Sequence, residues 1–537
     1  MQEERDQNAE SLADKGMSRK ELISSAGGQS LLTLASRLMG LVREQLRAAF
    51  LGTGAASDSF GLALMLPNLF RRLLGEGQMM AAFLPTLVDR IRNGDEEEVR
   101  RFYSDFIGLF SFVSVVVVAL GYVGTPWLIH TFFSSQMQGE EGQIELTVRL
   151  TRILFPYLAI VSVAAILQAG LHARKLFWPS TTTPILLNLV VILCAVLLKD
   201  SFPDPSYAFA IGFVAGGVVQ VLFQVPFVLR MGYSLRPRLG WKNPNARRVF
   251  RIFLPGVLAG GIYQIDVFVA QMVASTLEQG RISALQYSIR LQELVLGVFV
   301  VSITTVILPS LSDHVAARGS GAKAISETLA LSTRLLVLAT LPAAVGLYLL
   351  GPQIIELLFE FGEFGPESSL LVYNALIFHS IGIVPIALSR NMVQVFYAQK
   401  DLKTPTIVAG FVATAHLGMC FALSGPLDHG GIALAGALSA IITLAFHVPI
   451  LHRRGVQILN RGFWDSLART VGAATLLAVW EIWLGTVVFE GGMSKLSLGM
   501  GLVSCIVSGG GVYILGLVLF RHPEALKLIA KIRSRST

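Results

Sequence analysis

The chain has 537 residues, of which 53% are hydrophobic and only 15% are charged, and its formal net charge is +8. Soluble globular proteins carry about 25% charged residues, so this composition excludes an ordinary soluble protein. The excess of positive charge lies in loops between apolar runs, and it therefore does not indicate a protein that binds nucleic acid.

Apolar runs long enough to cross a bilayer, about 20 residues each, recur along almost the whole chain. Runs such as FIGLFSFVSVVVVALGYVGTPWLI do not alternate, whereas the strands of a membrane β-barrel do. The sequence therefore predicts an all-α, polytopic membrane protein of about 14 transmembrane helices. The predicted helices cover 26–50, 57–88, 102–126, 147–172, 180–199, 206–231, 247–276, 281–311, 324–350, 368–399, 403–424, 429–452, 468–490 and 496–520.

Basic residues are concentrated in alternate loops between these helices. One set of loops holds clusters such as Arg90–Arg101 and Arg230–Arg248, whereas the other set holds only Lys199, Arg281 and Lys495. Because cytoplasmic loops carry an excess of lysine and arginine, the pattern predicts that both termini are cytoplasmic. The first 25 residues contain no apolar core typical of a cleavable signal peptide, and we expect a cytoplasmic tail there.

The first predicted helix contains SRLMGLVREQLRAAF, which places Arg37, Arg43, Glu44 and Arg47 among apolar residues. An ionisable side chain in mid-bilayer costs roughly 2.5–3.5 kcal/mol, so such residues face a partner or a water-filled cavity. At 100° per residue, Arg37 and Glu44 lie about 20° apart on the helix, and Arg43 and Arg47 about 40° apart.

The second predicted helix carries Asp58 near its start, then Arg71, Arg72 and Glu76. Arg72 and Glu76 are spaced as an i, i+4 pair, which can be a purely structural salt bridge. Two interpretations are open for Arg72, as for Arg47 in the first helix: a functional contact, or a side chain that extends to the membrane interface.

Later helices add Asp266 in the seventh, and Arg290 and Glu293 in the eighth. Arg37, Arg43, Arg71 and Arg290 therefore come from three different spans, which predicts a shared cationic cavity. Guanidinium groups bind phosphate through paired hydrogen bonds, so such a cavity suits a phosphate-bearing anion. Other intramembrane ionisable residues have no obvious partner and are expected to be structural or interfacial: His379, His416, His447 and Glu481.

The sequence contains no Walker A loop, HExxH or CxxC motif, so we expect no nucleotide and no cofactor. Cys194, Cys420 and Cys505 all lie in apolar runs at spacings that fit no metal site. Any uphill transport would then depend on an ion gradient or on the membrane potential.

SRLMGLVRE, followed by FLGTGAASDSFGLALMLPNLFRRLLGEGQMMAAFLPTL, resembles the start of the MurJ (MviN) family, the bacterial lipid II flippases. RLQELVLGVF, ILPSLS and FYAQKDLKTP are also similar to family signatures, so the resemblance extends to about residue 405. It implies the fold of the multidrug/oligosaccharidyl-lipid/polysaccharide exporters, with two V-shaped six-helix lobes around a cavity. The implied parts are an N-terminal tail (1–25), an N-lobe (26–231), an inter-lobe loop (232–246), a C-lobe (247–452), two helices forming a lipid-tail groove (468–520) and a C-terminal tail (521–537).

The resemblance implies a monomeric transporter of the bacterial inner membrane that moves lipid II between leaflets among membrane lipids. By motif match, the implied substrate-binding residues are Arg37, Arg43, Arg71, Arg290, Glu44, Asp58, Glu76 and Glu293. The chain departs from some members at Ile289, where they have an acid. Some members bind sodium near helix seven, so Asp266 is a candidate cation site, although its partner ligands cannot be matched.

Three other functions remain open at this point. A flippase for another polyprenyl-pyrophosphate sugar, such as an O-antigen unit, would share the cationic cavity. A membrane-embedded glycosyltransferase or polymerase would need a catalytic acid and usually a large outer loop. A drug/cation antiporter would favour an acidic rather than an arginine-rich cavity.

Overall fold

The computed structural model describes residues 19–74, 78–133, 142–241, 243–316, 321–489, 492–527 and 530. Helices dominate this part of the chain, in agreement with the predicted all-α class. Their bounds are α1 Arg19–Leu51, α2 Ala55–Leu74, α3 Gln78–Asn93, α4 Glu96–Phe132, α5 Gln143–Ala173, α6 Trp178–Leu198, α7 Ser206–Arg230, α8 Pro244–Ala274, α9 Arg281–Ala316, α10 Gly321–Leu349, α11 Gly351–Phe359, α12 Pro366–Ala398, α13 Lys403–Arg453, α14 Arg461–Val488 and α15 Lys495–Leu519.

The predicted spans correspond to these helices with three differences. The span 57–88 is represented by α2 and α3, and α13 runs through both 403–424 and 429–452. Those two spans meet at Asp428, whose φ of 51° and ψ of −144° are not helical. The short helix α11 was not predicted. By length and composition, nine helices in the described ranges are apolar enough to cross a membrane.

The chain forms two compact units. Unit 1 comprises the described residues of Met1–Leu46, Leu66–Thr125 and Arg149–Val257. Its core is aromatic: the Phe83 and Phe106 rings stack at 4.2 Å, and those of Tyr103 and Tyr233 at 4.4 Å. This cluster joins α3, α4, α5, α7 and the start of α8.

Unit 2 comprises the described residues of Arg47–Met65, Pro126–Val148 and Leu258–Thr537. Within it, α12 packs against α9, α10 and α13, and α14 packs against α15 and α10. The unit boundaries fall inside α1, α2, α4, α5 and α8. The lobe boundaries implied by the family resemblance remain a prediction.

Candidate functional site

Asn188 of α6 connects two positions of the first motif on α1. Its Nδ2 donates to the carbonyl of Ser36 at 3.3 Å, and its Oδ1 accepts from Arg43 Nη1 at 2.9 Å. A Cβ at Gly40 would lie 3.7 Å from the same amide. Ser36, Gly40 and Arg43 are spaced by four and three residues and share one helical face. The S-R-x-x-G-x-x-R spacing therefore places the three residues of α1 that contact Asn188 of α6 on the same side of the helix.

Arg43 and Arg37 lie in different environments within unit 1. Arg43 pairs with Glu44 at 2.7 Å and lies 5.0 Å from the Phe213 ring, with 14% of its side chain exposed. Arg37 is half-buried, and within the described ranges it makes no hydrogen bond or ion pair. Of these two guanidinium groups, Arg37 is the one whose donors are not already engaged by protein groups.

Arg71 lies in the last turn of α2, where its Nε donates to Asn68 Oδ1 at 3.0 Å. It is half-buried, whereas Arg72 is exposed. Glu76, which was predicted to pair with Arg72, lies outside the described residues. Unit 1 thus contains three of the four arginines predicted to bind phosphate, Arg37, Arg43 and Arg71.

Arg47 belongs to unit 2 and is buried, with 6% of its surface exposed. Its Nη2 donates to the Ser57 carbonyl at 3.1 Å and to Gln286 Oε1 at 2.9 Å. The rings of Phe60 and Tyr287 lie 5.3 Å and 5.1 Å from the guanidinium. The interface interpretation is therefore wrong for Arg47, because aromatic and carbonyl groups desolvate it inside the protein.

Asp58 is 2% exposed and has its carboxylate at the start of α9. Its oxygens accept hydrogen bonds from the backbone amides of Gly280 at 2.7 Å and Ser283 at 2.8 Å. The first amides of a helix have no intrahelical acceptor, and an acid there also complements the helix dipole. The visible role of Asp58 is thus to cap α9.

Arg290 and Glu293 are exposed on α9 in unit 2. Glu293 Oε1 lies 2.9 Å from Arg390 Nη2, and 45% of the Glu293 side chain is accessible. Arg390, on α12, was missed at the sequence level. It is a charged residue within the predicted span 368–399, so the same search for intramembrane charges would have found it.

Asp266 of α8 has a partner that the sequence did not indicate. Its carboxylate lies 2.6 Å from Nδ1 of His416, a residue of α13 that is 6% exposed. The expectation that His416 lacks a partner is therefore wrong. Among the described residues, no group of three or more histidine, cysteine, aspartate or glutamate side chains could hold a metal ion.

An apolar groove of about 380 Å³ lies between α14 and α15 in unit 2. Its lining consists of Leu476, Val479, Trp480, Trp483, Val512, Leu515, Gly516 and Leu519. Almost no polar atom faces the groove, so its chemistry suits a hydrocarbon chain.

A family model described as "Lipid II flippase MurJ" matches residues 47–502. A Vibrio cholerae protein named probable lipid II flippase MurJ is 32% identical over 86% of this chain and 89% of its own length. A Treponema pallidum protein of the same name is 33% identical over 81% of this chain and 83% of its own.

Two solved structures show the same fold. "Lipid II flippase MurJ, inward closed conformation" aligns with a TM-score of 0.75 at 23% identity, covering 92% of this chain and 98% of its own. An inward-facing multidrug resistance MATE family transporter of the MOP superfamily aligns with a TM-score of 0.65 at 15% identity, covering 79% of this chain and 98% of its own.

Proposed function

Because this chain belongs to the lipid II flippase MurJ family, we propose that it moves lipid II from the cytoplasmic to the outer leaflet of the bacterial inner membrane. The observation that carries the proposal is the family match over residues 47–502. The relatives named above support it, since they are matched over more than four-fifths of this chain.

Arg37, Arg43, Arg71 and Arg290 are the proposed ligands of the pyrophosphate. Arg37 is the strongest candidate, because in the described ranges no protein group engages its guanidinium. Arg43 would have to exchange Glu44, 2.7 Å away, for phosphate oxygens. Such an exchange is chemically reasonable, since carboxylate and phosphate bind guanidinium in the same bidentate way.

The groove between α14 and α15 is the proposed path for the polyprenyl tail, because its lining is apolar. The head group would be carried by alternating access, with the tail remaining in contact with lipid. The protein would act as a transporter rather than an enzyme, as a monomer with both termini in the cytoplasm.

We propose that Asp266 pairs with His416 and does not bind sodium. Hard cations take oxygen ligands, whereas the described partner of the Asp266 carboxylate is a ring nitrogen of His416 at 2.6 Å. We therefore favour the membrane potential as the energy source. Each elementary charge moved through 100 mV supplies about 2.3 kcal/mol.

Complementation of a strain depleted of its lipid II flippase tests the proposal. The wild-type chain should restore growth, and Arg37→Ala and Arg290→Ala should not, although both variants reach the membrane at the wild-type level. Arg92→Ala is the matched control, because Arg92 is an exposed arginine of α3. Failure of the wild-type chain to complement at normal expression would contradict lipid II as the substrate.

A further inference from the structure

A second cavity, of about 770 Å³, lies in unit 1 among polar residues that the proposed transport does not use. It is formed by the end of α3, the start of α4 and the segment that precedes α8. The residues that matter here are Arg90, Arg101, Asp105, Arg238, Trp241 and Asn245. A volume of this size is in the range of small-molecule sites.

The segment that precedes α8 is fixed onto α4 by hydrogen bonds. Ser104 Oγ donates to the Ser234 carbonyl at 3.1 Å, and the Arg238 amide donates to the Ser104 carbonyl at 3.2 Å. Asn243 Nδ2 donates to Asp105 Oδ2 at 2.9 Å. The cavity therefore has walls held together by specific contacts between α4 and this segment.

Two glycines permit this close approach. A Cβ at Gly108 would collide with the backbone of Arg238, and a Cβ at Gly240 would collide with Asp105. Neither position can carry a larger side chain unless the backbone moves. Glycine therefore occurs at both positions where α4 and the segment before α8 are in direct contact.

Of the charged groups that line the cavity, two guanidinium groups are available to bind a ligand. Arg90 donates to Asn245 at 2.9 Å and lies 3.5 Å from Glu98, while Asp105 accepts from Asn243. Arg101 has only a loose pair with the highly exposed Glu97 at 3.9 Å, and such surface pairs are weak.

The Arg238 side chain is exposed and makes no hydrogen bond or ion pair within the described part of the chain. Together with Arg101 it gives the cavity two arginines suited to an anion. Guanidinium groups in such an arrangement recognise phosphate oxygens by paired hydrogen bonds.

The rim of the cavity is apolar. Leu239, Trp241 and Phe112 are 58%, 49% and 46% exposed, and the Trp241 ring lies 5.8 Å from the Phe112 ring. Tryptophan beside arginine is typical of the membrane–water interface, and basic pockets on the cytoplasmic side bind lipid head groups. A soluble phosphate compound would gain nothing from these exposed apolar side chains.

From this combination we propose that the cavity binds the phosphate head group of an anionic phospholipid from the leaflet that the charge pattern assigns to the cytoplasm. Arg101 and Arg238 contact the phosphate, and Trp241 and Leu239 contact the upper part of the acyl chains. The bound lipid bridges α4 and the segment before α8, which reinforces their hydrogen bonds. This site is independent of the identity of the transported substrate.

The test uses the full-length protein in lipid nanodiscs and brominated phosphatidylglycerol, whose bromine atoms quench tryptophan fluorescence. Wild-type protein should show a saturable component of quenching that the Trp241→Phe variant lacks, above the quenching of other exposed tryptophans such as Trp127 and Trp483 that both proteins share. In the double variant R101Q/R238Q, half-maximal quenching of Trp241 should need at least about tenfold more lipid, as expected for lost hydrogen bonds to a charged group. The control R92Q/R236Q removes the same charge from exposed arginines outside the cavity and should behave as wild type.

Three results would overturn the proposal. Equal weakening in R101Q/R238Q and R92Q/R236Q would indicate general charge attraction without a site. Equal quenching by brominated phosphatidylcholine would exclude recognition of an anionic head group. Displacement of the lipid by millimolar inorganic phosphate would assign the cavity to a free phosphate compound instead.

Discussion

At the residue scale, the last three arginines of α1 have different environments although they lie within eleven residues of one another. Arg37 is half-buried with no bonded partner in the described ranges, Arg43 is paired with Glu44, and Arg47 is enclosed by Phe60 and Tyr287. Arg47 therefore contributes to the packing of unit 2, whereas Arg37 is a proposed ligand of the pyrophosphate.

Arg47→Ala should destabilise the protein by about 2 kcal/mol, because the buried Ser57 carbonyl and Gln286 side chain would lose their donor. Arg37→Ala should change stability by less than about 0.5 kcal/mol, as is usual for residues without specific contacts. Thermal unfolding of the purified variants in detergent measures both effects. Equal loss of stability in the two variants would contradict the distinction between them.

Sequence reasoning found most charged candidates at this scale but not their partners. The positions of Arg37, Arg43 and Arg71 follow from charge in apolar runs. The contacts of Asp266 with His416 and of Glu293 with Arg390 join helices that are far apart in sequence. Periodicity within one helix carries no information on such pairs, and a single chain offers no covariation to supply it.

At the element scale, the FYAQKDLKTP motif ends one helix and begins the next. Lys400 adopts φ of 57°, which terminates α12. Asp401 then accepts hydrogen bonds from the Thr404 amide at 3.0 Å and the Thr404 hydroxyl at 2.6 Å. Arg454, just after α13, lies 2.6 Å from the same carboxylate. The motif therefore has a structural explanation as a helix junction.

The hydrogen bond from the Thr404 hydroxyl, with smaller effects of the Thr404 amide and Arg454, lowers the pKa of Asp401 to about 2. A depressed folded-state pKa gives stability that is present above the unfolded value of 3.8 and is lost as the pH falls towards 2. Asp401→Asn should cost about 1 kcal/mol at neutral pH, because the hydrogen bonds from Thr404 and Arg454 would lose their charged acceptor, and it should remove this dependence.

Unfolding temperatures of wild type and Asp401→Asn, measured between pH 5 and pH 2.5 or so, test this. The two curves should converge as the pH falls. Thr406→Ala, at a half-buried position of α13, removes no charge; it is the control and should remain parallel to wild type. A constant difference between wild type and Asp401→Asn at every pH would contradict the assigned cause.

From the sequence, the existence of a helix was easier to predict than the residues at which it begins and ends. The short helix α11, GPQIIELLF, follows α10 after a single residue and is too short to show as a separate apolar run. The bend at Asp428 lies between local breakers, Gly425 and Pro426 before it and Gly430 and Gly431 after it, and Asp428 also accepts a hydrogen bond from Arg281 Nε at 2.9 Å. Long apolar runs identify spans because bilayer thickness sets their length; no such constraint fixes junctions.

At the scale of the whole molecule, composition and the long apolar runs predicted an all-α membrane protein, and the motifs predicted the family. Both are confirmed by the helices and by the match over residues 47–502. The sequence could not indicate that Arg47 belongs to unit 2 while Arg43 belongs to unit 1. That division depends on long-range packing, which local patterns do not encode.

The central claim is that arginines within the membrane spans hold the pyrophosphate of lipid II during transport. Lipid II translocation by the purified protein in proteoliposomes tests it most directly. Arg37→Ala and Arg290→Ala should each lower the rate by at least about tenfold, equivalent to about 1.4 kcal/mol, while Arg92→Ala keeps the wild-type rate. Wild-type rates in both Arg37→Ala and Arg290→Ala would contradict the claim.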